Sequence, residues 1–254
     1  MKVLPNVNLK ELDKYTIANE PISSIDLMER AAVALTEAIA KRYDNSFTAV
    51  VFAGPGNNGG DGLAIARLLS QKKYKVEVYL FNTQNKLSEE CSINLSRLKE
   101  CGLVYFTEVT TEFNPPALTE KHIVIDAMFG SGLNKPLNGG FAAVVKYINS
   151  SNSNVIAIDT PSGLMGEDNT YNIRQNIIRA NLTLSVQLPK LSFFFPENED
   201  IVGEWETVDI NLSEEYIANC DTPYTIIEEE DIKSILKQRK AFSHKGTFGH
   251  GLLI

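Results

Sequence analysis

The sequence predicts an α/β protein, a Rossmann-like three-layer sandwich with a mostly parallel central sheet and helices on both faces. Three observations carry this. Short, continuously apolar runs such as Thr48–Ala53 (TAVVFA), His122–Asp126 (HIVID) and Asn154–Asp159 (NVIAID) lack a polar-out alternation, so they belong to strands buried on both faces. Segments of helical apolar spacing separate the strands. Each of these three runs ends in a loop of small and polar residues, built for contact rather than packing.

The elements follow in order. A short helix over Leu9–Ala18 precedes a longer one capped by Ser23 or Ser24, with apolar residues at Ile25, Met28, Ala32, Leu35 and Ile39. Asp26 and Glu29 in its first turn and Lys41 and Arg42 in its last match the helix dipole. Strand Thr48–Ala53 stops at Gly54-Pro55-Gly56, and Gly60–Leu69 forms a helix close to the sheet. Lys75–Phe81, Leu103–Phe106, His122–Asp126, Asn154–Asp159 and Asn181–Gln187 are the further strands, with helices at Ser88–Cys101 and Phe141–Ile148. Phe193–Phe195 and Gly203–Ile210 are added edge strands. After the acidic run Glu228–Glu230, Asp231–Lys240 reads as a linker helix, and the tail Lys245–Ile254 as a glycine-rich turn entering a strand. An unpaired terminal strand is an aggregation liability, so the tail is read as the start of a second domain. The division is 1–225, a linker at 226–243, and 244–254.

Composition bounds the function. The 254 residues fit one large domain, with or without a fragment of another. At 43% hydrophobic and 22% charged, the chain is neither collagen-like nor disordered. Its net charge of −8 argues against nucleic acid as the main partner. No apolar run reaches the length of a membrane span, and Met1–Glu20 lacks the apolar stretch of a signal peptide. Cys91, Cys101 and Cys220 have neither metal-ligand spacing nor an even number, which points to a reduced, cytoplasmic protein.

In open parallel sheets, ligands sit beyond the carboxyl ends of the strands where strand order reverses. Three loops are expected to meet there: Gly54–Gly62, Ala127–Leu133 after Asp126, and Thr160–Leu164 after Asp159. The first contains GxGxxG as Gly54, Gly56 and Gly59, which serves either a tight turn or phosphate binding at a helix N-terminus. For a dinucleotide fingerprint the ribose-binding acid would have to be Glu77, which lies inside a strand rather than at its end. A strand-end aspartate often only orders a turn. Two of them, Asp126 and Asp159, beside an Asn-Asn-Gly-Gly-Asp loop favour a site. Asp126, Asn58 and Ser162 offer hard oxygens that, with backbone carbonyls, suit a weakly hydrated monovalent cation. Pro161 fixes the loop that carries Ser162. Neither His122, His244 nor His250 is placed for acid–base work, Trp205 has no assignment, and Phe193–Phe195 is core or interface. Lys190 has two conceivable ligands, a phosphate or the adenine-ribose side of a nucleotide; the reading adopted is a solvated lysine.

Five blocks, LMERAA (Leu27–Ala32), AGPGNNGGDGLAIARLL (Ala53–Leu69), DAMFGSGL (Asp126–Leu133), AIDTPSGL (Ala157–Leu164) and LPKLSFFFPEN (Leu188–Asn198), resemble the NAD(P)H-hydrate epimerase family, the YjeF-type N-terminal domain. The resemblance covers about residues 5–215. His244–Ile254 (HKGTFGHGLLI) resembles the opening of the ADP-dependent NAD(P)H-hydrate dehydratase domain, a ribokinase-like lyase that follows the epimerase in bifunctional members. The resemblance implies repair of hydrated NADH or NADPH by interconversion of its R and S forms. It implies that Asn57, Asn58, Gly59, Gly60 and Asp61, with Gly130, Ser131, Gly132, Leu133, Asn134, Lys135 and Pro136, contact the nucleotide, as does Asp159. Asn58, Asp126 and Ser162 would hold one potassium ion (K+) per subunit, and the N-terminal helices would form a homodimer or larger homo-oligomer. Ser131 stands where threonine is common, and Met165–Asn169 departs from the usual ending of its turn.

Epimerisation needs a group that moves a proton at the hydroxyl oxygen and a pocket that stabilises charge. Asp159 is the expected acid/base, since it ends a strand and is no ion ligand; Asp61 is the second candidate. Two rivals remain: a nicotinamide-dependent oxidoreductase, and a non-catalytic nucleotide-binding or scaffold member of the fold.

Overall fold

A computed structural model of the chain describes residues 1–236, 240–248 and 251–252. Seven strands, β1 (Thr48–Ala53), β2 (Lys75–Phe81), β3 (Tyr105–Val109), β4 (His122–Ala127), β5 (Asn154–Ile158), β6 (Leu182–Val186) and β7 (Glu204–Val208), form one sheet in the order β3-β2-β1-β4-β5-β6-β7. Every pairing in it is parallel, so the expected sheet is observed with no antiparallel strand. The strand order reverses between β1 and β4, which are in register from Thr48 opposite His122 to Ala53 opposite Ala127.

Alternation along β1 builds both cores. Ala49, Val51 and Ala53 face one layer, and Val50 and Phe52 face the other. The first layer is covered by α1 (Asn6–Asn19), α2 (Ser24–Arg42), α3 (Asn57–Gln71) and α4 (Glu89–Cys101). The second is covered by α5 (Gly139–Asn149) and an aromatic cluster in which Phe52 stacks on Tyr79 and Phe81 and meets Phe113 edge-on. Helix α2 begins where the Ser23 hydroxyl accepts the Asp26 N–H, and it buries Leu27, Met28, Ala32, Leu35 and Ile39. The Ser88 hydroxyl caps α4 in the same way, and Gly102 ends that helix at φ +62°. Among the described residues no helix is long and apolar enough to cross a membrane.

Four local expectations are corrected. The strand placed at Leu103–Phe106 runs over Tyr105–Val109, because the left-handed turn at Gly102 spends Leu103 and Val104 on reversing the chain. The strand placed at Asn154–Asp159 ends at Ile158, and Asp159 turns out of it at φ +65°. Phe193–Phe195 is not an edge strand: Leu191–Phe194 and Pro196–Asn198 are 3-10 turns, with Phe193 buried and Phe194 edge-on to Trp205 of β7. The linker helix spans Glu229–Ile235, with the side chains of Glu228 and Asp231 forming a capping box. Residues 237–239 of the expected helix, and 249–250 and 253–254 of the expected terminal strand, lie outside the described residues; Lys245–Phe248 forms a 3-10 turn.

Leu35 is fully buried between α2 and the sheet. Leu35→Ala should cost about 2–5 kcal/mol, read as a lower urea midpoint with an unchanged slope.

Candidate active site

Close backbone packing brings the first loop to the switch point. A Cβ on Gly54 would lie 1.9 Å from the Met128 carbonyl oxygen, and one on Gly59 would lie 1.8 Å from that of Gly54. These two glycines let the turn fold on itself and press against the loop after β4. Gly56, by contrast, has open space beside it and starts α3, whose first N–H groups have no intrahelical partner. Glu77 sits within β2, where its carboxylate accepts the Tyr79 hydroxyl at 3.2 Å.

Hydrogen bonds then join the second and third loops. Asp126 is fully buried; its Oδ2 accepts the Ser162 N–H at 2.7 Å, and its Oδ1 accepts the Ser162 hydroxyl at 2.5 Å and the Met128 N–H at 3.3 Å. The Ser162 hydroxyl oxygen in turn accepts the Phe129 N–H at 2.9 Å. Burial pushes the Asp126 carboxyl up to about 6, against the downward pull of these bonds, and no lysine or arginine among the described residues offsets its charge.

The third node is an ion pair. Lys190 is 2% exposed, and its ammonium lies 2.6 Å from Asp159 Oδ1 while donating to Ser185 Oγ at 2.9 Å and to the Leu188 carbonyl at 3.0 Å. Asp159 Oδ2 accepts the Ser131 N–H at 3.0 Å, which ties the third loop to the second. Burial alone would raise Asp159, but the Lys190 charge and hydrogen bond, with the hydrogen bonds of Ser131, hold it below its ordinary range. The reading of Lys190 as solvated is therefore corrected: its ammonium is buried and spent on Asp159, Ser185 and Leu188.

Asp61 lies one turn into α3. The helix dipole favours its charged form. Burial and the nearby carboxylates of Asp159, Asp13 and Glu90 outweigh that and raise it well above an ordinary aspartate. Asp13, on the exposed part of α1, is raised by the protein mass around it and by Asp159, with Lys190 opposing. The crevice thus holds one carboxylate lowered by the ammonium that fixes it and a second that burial and its acidic neighbours raise.

The sequence-predicted residues divide into three groups. Gly130, Ser131, Asp159 and Ser162 lie on the loops after β4 and β5, Asp126 near the end of β4, and Asn58 and Asp61 in the first turns of α3, all at the carboxyl edge of the sheet. A Cβ on Gly130 would lie 3.0 Å from Asp159 Oδ2 and 3.1 Å from Asn58 Oδ1, so these two side chains crowd one point. Gly59 and Gly60 are buried and serve packing, with Gly60 against Met28 and Cys91. Asn57, Gly132, Asn134 and Lys135 are exposed, and Leu133 and Pro136 half-buried, on the outer arms of their loops. Sequence reasoning missed Asp13 altogether. Its signal was the helical spacing of Asn6, Lys10 and Asp13, which places three polar side chains on one face of α1.

A cation would find one carboxylate and neutral oxygens here: Asp126, the Asn58 amide, the Ser162 hydroxyl and the Phe129 carbonyl, which lies 3.2 Å from that hydroxyl. Asp126 has no counter-charge among the described residues, which fits a monovalent cation with oxygen ligands. The Asn58 Nδ2 donor, also without a partner among the described residues, calls instead for an acceptor, such as an oxygen of a bound ligand.

Lys190→Met would leave the Asp159 carboxylate buried and unpaired. It should lower stability by about 3–5 kcal/mol in urea unfolding at pH 7. The loss should shrink as the solution is made acidic, because the unpaired Asp159 carboxyl of the variant takes up a proton before the wild-type one, which Lys190 holds below its ordinary range.

Residues 24–192 match the family described as YjeF-related protein N-terminus. An NAD(P)H-hydrate epimerase of Weissella koreensis is 33% identical over 204 residues, covering 80% of this chain and 89% of that protein. One from Oenococcus oeni is 32% identical, covering 80% and 93%. The bifunctional NAD(P)H-hydrate repair enzyme Nnr of Thermofilum pendens is 31% identical over all of this chain and 48% of its own length, so the chain spans about half of that relative. The crystal structure of yeast ynu0, YNL200c, shares the fold at TM-score 0.71 and 22% identity, covering 91% of this chain and 98% of that one. With two-thirds of its length inside the family match and one-third identity to nearly full-length relatives, the chain belongs to the YjeF-related N-terminal family.

Proposed function

We propose that the chain is an NAD(P)H-hydrate epimerase, acting on the R and S forms of hydrated NADH or NADPH. The observation that carries this is the Asp159 carboxylate, locked to the buried Lys190 at 2.6 Å and to the Ser131 N–H at 3.0 Å, at the crevice where the strand order reverses, with the raised carboxyl of Asp61 on the helix that opens beside it. The names of the relatives support the same reading. In the hydrated cofactor the hydroxyl sits on a carbon bonded to the ring nitrogen, whose lone pair can expel it. Asp61 gives its proton to the departing oxygen, so water leaves and a cationic ring remains. The Asp159 carboxylate stabilises that cation. Water then adds to either face of the same carbon and returns a proton to Asp61, which closes the cycle with no net change in atoms or charge. Of the two aspartates expected to act, Asp61 does the proton transfer and Asp159 the electrostatic work, because a carboxylate held below its ordinary range is a poor proton acceptor.

A potassium ion held by Asn58, Asp126 and Ser162, with the Phe129 carbonyl, would supply the positive charge that Asp126 lacks and keep the three loops in register. Phosphates of the nucleotide would meet the free N–H groups at the start of α3. The resemblance of His244–Ile254 to the opening of a dehydratase domain, together with the length of the bifunctional relatives, supports a second, lyase activity in a longer chain.

Incubation with separated R and S hydrates, followed by chromatography, should show interconversion; unchanged epimers would sink the proposal and favour a non-catalytic member. Asp61→Asn should lower turnover by about 10²–10⁴-fold. Asp159→Asn should lower turnover while nucleotide binding stays within about tenfold, and full activity in both variants would remove the assignment. Replacing potassium by lithium should weaken nucleotide binding in a titration, and equal affinity would count against the ion.

A further inference from the structure

Helix α1 lies outside the segment that matches the family, yet its first residue grips the loop that carries Ser131. The Asn6 amide donates to the Ser131 carbonyl at 3.1 Å, and the Ser131 N–H donates to Asp159 Oδ2 at 3.0 Å, so one residue is held from both sides. Ser131 belongs to a tight turn closed by the Leu133 N–H on the Gly130 carbonyl at 3.2 Å. Among the described residues, every hydrogen bond that joins Gly130–Pro136 to another segment passes through Ser131. Asn6 is itself fixed. Its N–H donates to Glu167 Oε1 at 2.6 Å, and a Cβ on Gly166 would overlap its amide, so glycine there leaves the amide its seat. Before the helix, the Val3 N–H donates to the Tyr224 carbonyl at 3.1 Å and the Val3 carbonyl accepts the Thr222 hydroxyl at 2.7 Å. Further along, the buried Leu12 and Thr16 hold α1 against the body, with the Thr16 hydroxyl accepting the Ser213 N–H at 3.1 Å.

We infer that Asn6 is a positioning residue for the epimerisation: its amide holds the Ser131 turn where the Ser131 N–H fixes the Asp159 carboxylate. This rests on the reading of Asp159 as the group that stabilises the cationic ring. Asp159 has one oxygen on Lys190 and the other on Ser131. The first partner is buried and braced by Ser185 and Leu188. The second is half-buried, on a turn whose next residue, Gly132, is exposed, so it is the partner that needs an anchor. A single hydrogen bond at such a turn opens readily, and a second grip on the same residue, from a seated helix, restricts that opening. The bonds also close on themselves. The Gly166 carbonyl accepts the Ser192 N–H at 2.9 Å, so the turn that seats Asn6 is tied to the segment that carries Lys190. Asn6, Gly166 and Glu167 all lie outside the five blocks that carry the family resemblance.

The test compares wild type, Asn6→Ala and Gly166→Ala, alone and combined with Asp159→Asn, by epimer interconversion and by amide hydrogen exchange without substrate. In Asn6→Ala the Ser131 N–H should exchange about tenfold faster. The Phe129 N–H, bonded to Ser162 nearby, should keep its wild-type rate, which separates the effect from general loosening. Turnover should fall by about tenfold, in kcat rather than KM, because the cation that Asp159 stabilises exists only after the substrate has bound. Gly166→Ala displaces the Asn6 amide without altering its chemistry, so it should reproduce both readings. Where Asp159 is already asparagine, Asn6→Ala should cost little further turnover, because the charge it positions is gone. Wild-type exchange at Ser131 in Asn6→Ala would overturn the inference, even with activity altered. An equal loss of turnover with and without the Asp159 carboxylate would overturn it as well. Wild type inert on both epimers would instead reject the parent reading, while the Ser131 exchange rate would still decide whether Asn6 holds the turn.

Discussion

The charge state of the crevice depends on one buried ammonium. Lys190, 2.6 Å from Asp159 and nearly without solvent contact, is fixed by two further hydrogen bonds to Ser185 and Leu188. It holds Asp159 ionised in a place where burial would otherwise neutralise it. Burial raises Asp61, and the lasting negative charge on Asp159 adds to it, so burial and one cation together divide the two carboxylates into an anion and a group that holds its proton more readily. A single backbone detail makes the pair possible. Asp159 leaves β5 in the left-handed region at φ +65°, which swings its carboxylate across the sheet edge toward both Lys190 and Ser131.

The three loops are held together by two physical means. Between the first and second, the contact is backbone on backbone, and the absent side chains of Gly54 and Gly59 are what permit it. Between the second and third, the contact is polar, through the buried Asp126 carboxylate and the Ser162 hydroxyl and N–H. A buried carboxylate with hydrogen bonds but no counter-charge is costly to keep. That cost is the physical case for a cation among Asn58, Asp126 and Ser162, independent of any relative. The glycine motif is thus mostly a packing device: of its three glycines only Gly56 faces open space at the start of α3.

Much of the architecture was legible in the chain. Apolar runs marked β1, β2 and β4 to within a residue, because strands buried on both faces have no other composition open to them. Ser23 and Ser88 marked the starts of α2 and α4 through hydrogen bonds made within the first turn, a purely local effect. Errors arose where a distant partner decides the conformation. The phenylalanines at 193–195 look like a strand, but Pro196 and the packing against Trp205 make them 3-10 turns. Lys190 looks like any surface lysine, since nothing within several residues of it carries the carboxylate that it meets.

The sequence by itself determined the layer architecture, the strand-end loops and the chemical types gathered in them, because periodicity, capping and glycine content act over a few residues. Only the tertiary structure decided that Lys190 is buried against Asp159, that α1 reaches the loop carrying Ser131, and that burial raises Asp61 while Lys190 lowers Asp159. Those outcomes depend on distances between residues as far apart as 6, 61, 131, 159 and 190. Electrostatic energy is set by separation in space and by exclusion of water, and neither is written in the order of the chain.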